Sequence, residues 1–237
     1  MSGKQQIRMI RGDASAALVT RPLYEQAFDD PKAFVDYYYR EKMKDSTVVM
    51  LEEEGRVLSM LHLNPYTVSV CGKTVPSCYI VAVATDRAHR RTGCMTRVLQ
   101  AAFAEMEREH VPFCFLMPVD EAIYLPSGFE TICDFITRDD PLSALPYGEV
   151  RKRFDVFCVQ DDVYVRRRQE EDALAAQNAA EVLPENPVIM ARIADGKAYD
   201  ALLRDISASA REAAGGIARD GRLSALRALR CYFREEV

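Results

Sequence analysis

One stretch constrains the fold of this chain more than any other. The apolar run "PSCYIVAVAT" (76–85) passes through the loop "DRAHRRTG" into a helix, which leads to a second apolar run, "VPFCFLMPV" (111–119). Met95, Val98, Leu99, Ala102, Phe103 and Met106 recur at helical spacing, so residues 93–110 form a helix with one face committed to a core. A helix joining two apolar strands brings the chain back to the same end of a sheet, so the two strands lie parallel. The second run is the most continuously apolar in the chain and belongs near the sheet centre.

Ahead of this unit, "IRMIR" (7–11) has the length of a first strand. "SAALVTRPLYEQAFD" and "KAFVDYYYREKMK" read as two helices, the second entered through Pro31 with Asp30 as its cap. "STVVMLEEEG" and "RVLSMLHLNPYTVSV" meet at a Glu-Gly-Arg turn, and "CGKTV" supplies another, so three antiparallel strands precede the helix. Beyond it, "DEAIYLPSGFE" reads as a short helix ending on Gly128 as a left-handed cap, and "ETICDFITRDD" as a closing strand. The expected class is α+β, with a mixed sheet flanked by helices. The prolines and glycine of "DDPLSALPYGEVRKR" divide the chain into residues 1–146 and a smaller α/β region, 147–237. In that region "FDVFCV" and "PVIMARIA" read as strands, and "EEDALAAQNAAEVL" as a helix.

Composition narrows the function. With a net charge of −5 over 237 residues, the chain lacks the clustered basic charge of a nucleic-acid binder and suits a cationic small substrate. The runs "RKR" (151–153) and "RRR" (166–168) have no interleaved aromatics and read as solvated faces. No run of about 18 apolar residues is present, and the N-terminal residues lack the apolar core of a signal peptide. The expected location is therefore the cytoplasm, without membrane association. The seven cysteines form no C-x-x-C pair, and the three histidines do not join them in a zinc-like rhythm. No metal is expected, and the cysteines read as small buried hydrophobes.

The loop between strand and helix has its own chemistry. Gly93, in the first turn, lets the backbone pass close to a ligand. The free N–H groups of that turn carry the positive end of the helix dipole, and Arg90 and Arg91 add charge beside them. The stretch therefore suits an anion, although solvated arginines at an ordinary strand–helix junction give the same pattern. It is neither a Walker loop nor a G-x-G-x-x-G dinucleotide loop.

"HRRTGCM" resembles the pyrophosphate-binding loop of the GCN5-related N-acetyltransferases (GNAT), whose motif reads Q/R-x-x-G-x-G/A. Arg90 and Gly93 fall on that motif, and Met95 takes the last position, where Gly or Ala is usual. A bulky residue there resembles the enhanced-intracellular-survival (Eis) branch of aminoglycoside acetyltransferases. "AIYLPSGFE" is similar to the family's second signature, with three residues between Tyr124 and the Gly128-Phe129 pair. The resemblance covers roughly residues 5–140.

It implies acetyl-CoA as co-substrate. The backbone of Val83, Ala84 and Thr85 would hold the pantetheine arm in a gap between parallel strands. The loop with Arg90, Arg91, Gly93, Cys94, Met95 and Thr96 would hold the pyrophosphate, and the thioester would end near Met117–Val119. Tyr124 would then protonate the leaving thiolate as general acid. In the Eis branch a terminal carboxylate from a sterol-carrier-like domain reaches the site. "PVIMARIADGKAYDALLRDI" resembles the start of such a domain cut short, making Val237 a candidate base. Glu52–Glu54, Asp120, Glu121 and a water chain are alternatives, whereas His62, His89 and His110 read as structural. Cys94 has no His or Asp partner in sequence and reads poorly as a nucleophile.

Asp29, Asp30, Asp36 and Tyr37–Tyr39 border the acceptor cleft in this fold, where they would attract and stack on a cation. The alternative for them is a solvated acidic face with the tyrosines partly in the core. The implied function is direct acetyl transfer from acetyl-CoA to a primary amine of a small cationic acceptor. Its alternative is a non-catalytic acyl-CoA-binding regulatory or interaction module. Homo-oligomerisation is left open.

Overall fold

Two tight turns build most of the sheet. Glu54-Gly55 and Cys71-Gly72 have left-handed φ values of 51° and 80°, and 49° and 83°. Paired positive φ values match the right-handed twist of the strands they join, so both positions close two-residue hairpins. In the computed structural model, which describes residues 4–176, 183–206 and 223–234, these turns link β2 (Thr47–Glu53), β3 (Arg56–Val70) and β4 (Lys73–Thr85). The first strand, β1 (Gln5–Arg11), pairs antiparallel with β2. Between β1 and β2 run the helices α1 (Ala14–Ala17), α2 (Arg21–Ala27) and α3 (Lys32–Glu41).

Both faces of β2 are covered. Val49 and Leu51 join the core under α4 (Cys94–Arg108), where Val98, Leu99, Ala102 and Met106 are buried. Val48 and Met50 join the core under the first three helices, with Leu23, Tyr24, Val35, Tyr38 and Tyr39. As expected, α4 leads into β5 (Phe113–Leu116), which is parallel to β4 and buried throughout.

The expected short helix over 120–130 is instead two one-turn helices, Glu121–Ile123 and Leu125–Ser127, with Gly128 in the left-handed conformation at φ 81°. Pro126 in the second turn has no N–H to extend a helical ladder. β6 (Glu130–Asp134) follows.

After β6 the chain continues through α5 (Tyr147–Arg153), β7 (Val156–Cys158), α6 (Asp162–Ala175) and β8 (Val188–Ile193). Then come α7 (Gly196–Asp205), α8 (Ser224–Arg227) and β9 (Cys231–Tyr232). β7 pairs with β3 from Val68 onward, beyond the Thr47↔Leu63 pair where β2 stops. Pro65, which cannot donate to a ladder, falls in the interval between these two partners. The expected helix over 170–183 begins earlier, at Asp162, where Asp161 accepts from Tyr164 N; its residues 177–182 lie outside the described residues. The "RRR" run lies on α6 and is only partly solvated. Arg167 pairs with Asp45 at 3.0 Å and Arg168 with Asp172 at 3.3 Å.

β8 belongs to the segment assigned from sequence to a second region beyond residue 146, yet it lies inside the sheet. The order is β1-β2-β3-β4-β5-β8-β6, and β8 is antiparallel to both β5 and β6. Ile189, Met190 and Ala191 are fully buried there.

Burying Ile189 and Met190 stabilises the fold by about 1.5–3 kcal/mol each, a large share of the 5–15 kcal/mol typical of a domain. A fragment ending at residue 146 also exposes the edges of β5 and β6. It is expected to aggregate or to lose its cooperative thermal transition, as read by size-exclusion chromatography and circular dichroism.

Candidate active site

The site begins where a ladder stops. β4 and β5 pair only at Ser77↔Phe113, Cys78↔Cys114 and Tyr79↔Phe115. β4 then continues to Thr85 without this partner, while β5 gives its other edge to β8. A β-bulge at this level, with Ala82 at φ 52°, shifts the β3–β4 register between Met60 and His62 and turns the strand. Val83, Ala84 and Thr85 therefore lie along an open fork. On the side away from the fork, Ser59 Oγ donates to the Ala84 carbonyl at 3.0 Å and lies 2.9 Å from Thr85 Oγ1.

The loop after β4 is braced by one carboxylate. Asp86 is buried, accepts from Ala88 N at 3.0 Å and pairs with His89 at 3.0 Å and Arg56 at 2.6 Å. The His89 hydrogen bond, helped by Arg56 and the Ala88 amide, holds its pKa below the usual carboxylate value. Arg90 Nε donates to the Thr85 carbonyl at 3.4 Å, and Arg91 adopts φ 62°. Gly93 caps α4 at φ 83°, and a Cβ built on it meets nothing within 4 Å. Backbone conformation, rather than crowding, thus favours glycine there, and the space above it is open to a ligand.

The first-turn amides of Cys94, Met95 and Thr96 have no acceptor within the helix. Exposed Arg90 and Arg91 flank them. The arrangement suits an anion, which backbone N–H groups and the helix dipole would hold in a cradle. Cys94 is buried, 3.2 Å from Thr92 Oγ1, and Met95 is partly buried against the core.

Past β5, Tyr124 joins the two one-turn helices, its ring edge-on to Phe129 at 5.8 Å. Burial pushes its phenol up to about 12, so the hydroxyl keeps its proton throughout the neutral range. Val119, Ile123 and Leu125 are exposed around it, at 83%, 46% and 55%.

Other sequence candidates are placed elsewhere or already engaged. Tyr37, Tyr38 and Tyr39 are buried, so they do not offer rings to a cation at the surface. Tyr38 stacks on His62, whose Nδ1 lies 2.9 Å from its hydroxyl. Burial lowers the His62 pKa to about 3 and keeps the ring neutral. Asp30 accepts from the Tyr24 hydroxyl at 2.6 Å, and Asp36 pairs with Arg21 and Lys32. Glu52 is engaged by Arg8 at 3.2 Å, and Glu121 accepts from Thr131 Oγ1. His110 lies beyond the far end of α4 from Gly93 and pairs with Asp195. Val237 lies outside the described residues.

A cavity of about 500 Å³ opens at the opposite end of β4, beside Pro76–Cys78. Its cations Arg11, Lys42, Arg167 and Arg168 are already paired with Glu105, Glu171, Asp45 and Asp172, so the Gly93 loop suits an anion better.

Residues 19–132 match the family model described as an acetyltransferase (GNAT) domain. This stretch is similar to a GNAT domain. Its fork, its Gly93 cradle and Tyr124 all fall within the match. A protein from Enterococcus faecalis V583 described as a probable N-acyltransferase shares the fold at a TM-score of 0.51 and 16% identity, over 55% of this chain and 33% of that one. Eis1 from Mycobacterium abscessus shares it at a TM-score of 0.52 and 14% identity, over 72% of this chain and 48% of that one. The chain thus spans a third to a half of their lengths. Among curated protein sequences, none matches it.

Beyond the GNAT match, β8 contributes Arg192, which sequence reading passed over; its one signal was a lone arginine in the apolar run "PVIMARIA". Arg192 Nε donates to the Ser127 carbonyl at 2.9 Å, behind Tyr124.

Asp86 gives the cradle loop a testable pH dependence. Its lowered pKa means that its stabilisation is present above the unfolded Asp value of about 3.9 and is lost as pH falls through the folded value. Asp86→Ala is expected to cost about 1–2 kcal/mol in urea unfolding at pH 7, a capping-sized loss. That difference should be constant between pH 7 and about 5 and shrink below about 3.9.

Proposed function

We propose that the chain transfers an acetyl group from acetyl-CoA directly to the primary amine of a small cationic acceptor. The observation that carries this reading is the fork after the Tyr79↔Phe115 pair, which has a backbone anion cradle at its mouth. When bound, acetyl-CoA supplies a thioester carbonyl open to attack by an amine. Val83, Ala84 and Thr85 offer backbone groups to its pantetheine arm, as a sheet edge does to a peptide. Arg90, Arg91 and the amides from Gly93 through Cys94, Met95 and Thr96 take the pyrophosphate.

The chemistry needs little more from the chain than orientation and a proton. A neutral amine forms the N–C bond as the C–S bond breaks, and the Tyr124 hydroxyl gives its proton to the leaving sulfur. The proton shed by the amine passes to water or to a carboxylate, for which Asp120 stands close to Tyr124 in the chain. Asp120 and Asp29 support a cationic acceptor, and exposed Val119, Ile123 and Leu125 would contact its apolar parts. Met95 supports a place near the Eis branch. The strand order supports an acetyltransferase unit running through Ile193, rather than one ending at residue 146.

Coenzyme A thiol release from acetyl-CoA, assayed across a panel of polyamines, aminoglycosides and amino-acid amines, tests the reading. Tyr124→Phe is expected to lower kcat by about 100-fold, the size of a general-acid contribution, with coenzyme A binding kept. Because Tyr124 stays protonated, kcat should show no falling limb between pH 7 and about 10. Gly93→Asp should abolish the thermal stabilisation given by coenzyme A. Stabilisation by coenzyme A with no turnover on any amine would instead make the chain an acyl-CoA-binding module.

A further inference from the structure

β8 carries a single charged side chain into the sheet. Arg192 lies opposite Cys114 of β5 and is half-buried, its guanidinium 3.7 Å from the centre of the Phe103 ring on α4. Its Nε donates to the Ser127 carbonyl and its Nη1 to the Ile193 carbonyl, both at 2.9 Å. None of the carboxylates among the described residues pairs with it. A half-buried guanidinium is costly unless its donors and planar face are engaged. Here both are engaged on one side of the turn that carries Tyr124.

Two routes connect Arg192 to that tyrosine. Along the backbone, the Ser127 N–H donates to the Tyr124 carbonyl at 2.9 Å, while the Ser127 carbonyl is held by Arg192. Along the side chains, Arg192 covers Phe103, which meets Phe129 at 6.0 Å, and Phe129 meets Tyr124 at 5.8 Å. Both routes pass Gly128, whose left-handed φ of 81° closes the turn. In its left-handed conformation a built Cβ would stand 3.6 Å from Arg192 Nε.

We infer that Arg192 is a positioning residue for Tyr124, setting where the phenol hydroxyl meets the leaving sulfur. This rests on the general-acid reading of Tyr124. Displacing a reacting group by about 1 Å costs up to about a hundredfold in rate. The partners that hold Arg192, which are the Ser127 and Ile193 carbonyls and the Phe103 ring, belong to neither Val83–Thr85 nor the Gly93 loop, so its effect is expected on rate rather than on coenzyme binding.

The test compares the wild-type chain with Arg192→Met, Arg192→Lys, Tyr124→Phe and the Met/Phe double variant. Thiol release from acetyl-CoA is measured with the fastest amine of the panel, or with water as acceptor if no amine is used. In parallel, each protein is labelled with 3-fluorotyrosine, and the Tyr124 fluorine resonance is assigned by its loss in Tyr124→Phe. Arg192→Met should lower kcat about 10- to 100-fold and leave the acetyl-CoA KM within about threefold. Arg192→Lys should restore part of the rate. In the Tyr124→Phe background Arg192→Met should cost less than about twofold, since residues acting as a unit are not additive. The Tyr124 resonance should move or broaden in Arg192→Met. An unmoved resonance, or an equal loss in both backgrounds, would overturn the inference even if turnover is slow. A wild-type rate in Tyr124→Phe removes the general-acid reading and this inference with it; that outcome is distinguishable because it leaves residue 192 untouched.

Discussion

The structure depends on a pairing that stops early. Three residue pairs join β4 to β5, and beyond Tyr79 and Phe115 the strands no longer share a ladder. An unpaired strand edge in a protein interior is unfavourable unless water or a ligand meets it. A gap of this kind persists only if each strand is secured from its other side. β3 holds β4 through Ser59, Met60 and His62, and β8 holds β5 along its whole length. The fork is therefore made as much by the strands outside it as by the two that diverge.

Charge and burial divide the work around that fork. At its mouth lie first-turn amides and exposed arginines, which suit a highly charged and solvated group. At Tyr124 burial keeps the phenol protonated. Asp86 ties the cradle loop to the sheet. Its buried carboxylate gathers Arg56, His89 and the Ala88 amide, so the cradle loop is fixed to the β2–β3 hairpin rather than left to its own conformational freedom.

Much of this was legible in the chain. The spacing of Val98, Leu99, Ala102 and Met106 announces α4, and Gly93 marks its first turn. The Glu-Gly and Cys-Gly pairs announce the two hairpins. Tyr124 ahead of Gly128-Phe129 was visible as a signature, although the segment forms two single turns, since Pro126 breaks the ladder. Less legible were residues whose role depends on a distant partner. Tyr37, Tyr38 and Tyr39 sit beside acids in sequence, and only the packing of α3 against β3 and α6 shows that their rings belong to the interior. The arginines of α6 resemble a solvated run until Asp45 is seen beside Arg167.

Local pattern by itself determined the strand–loop–helix–strand unit, its parallel sense, the glycine-capped anion cradle and the tyrosine turn, because each arises from residues a few positions apart. The tertiary structure decided which segment fills the free edge of β5. That choice is a long-range competition among strands, and the apolar run from Val188 to Ile193 wins it across the intervening residues 135–187. With it came Arg192, whose lone charge in an apolar strand has no local meaning. It gains one only where β8 sets it over Phe103 and behind the turn that carries Tyr124.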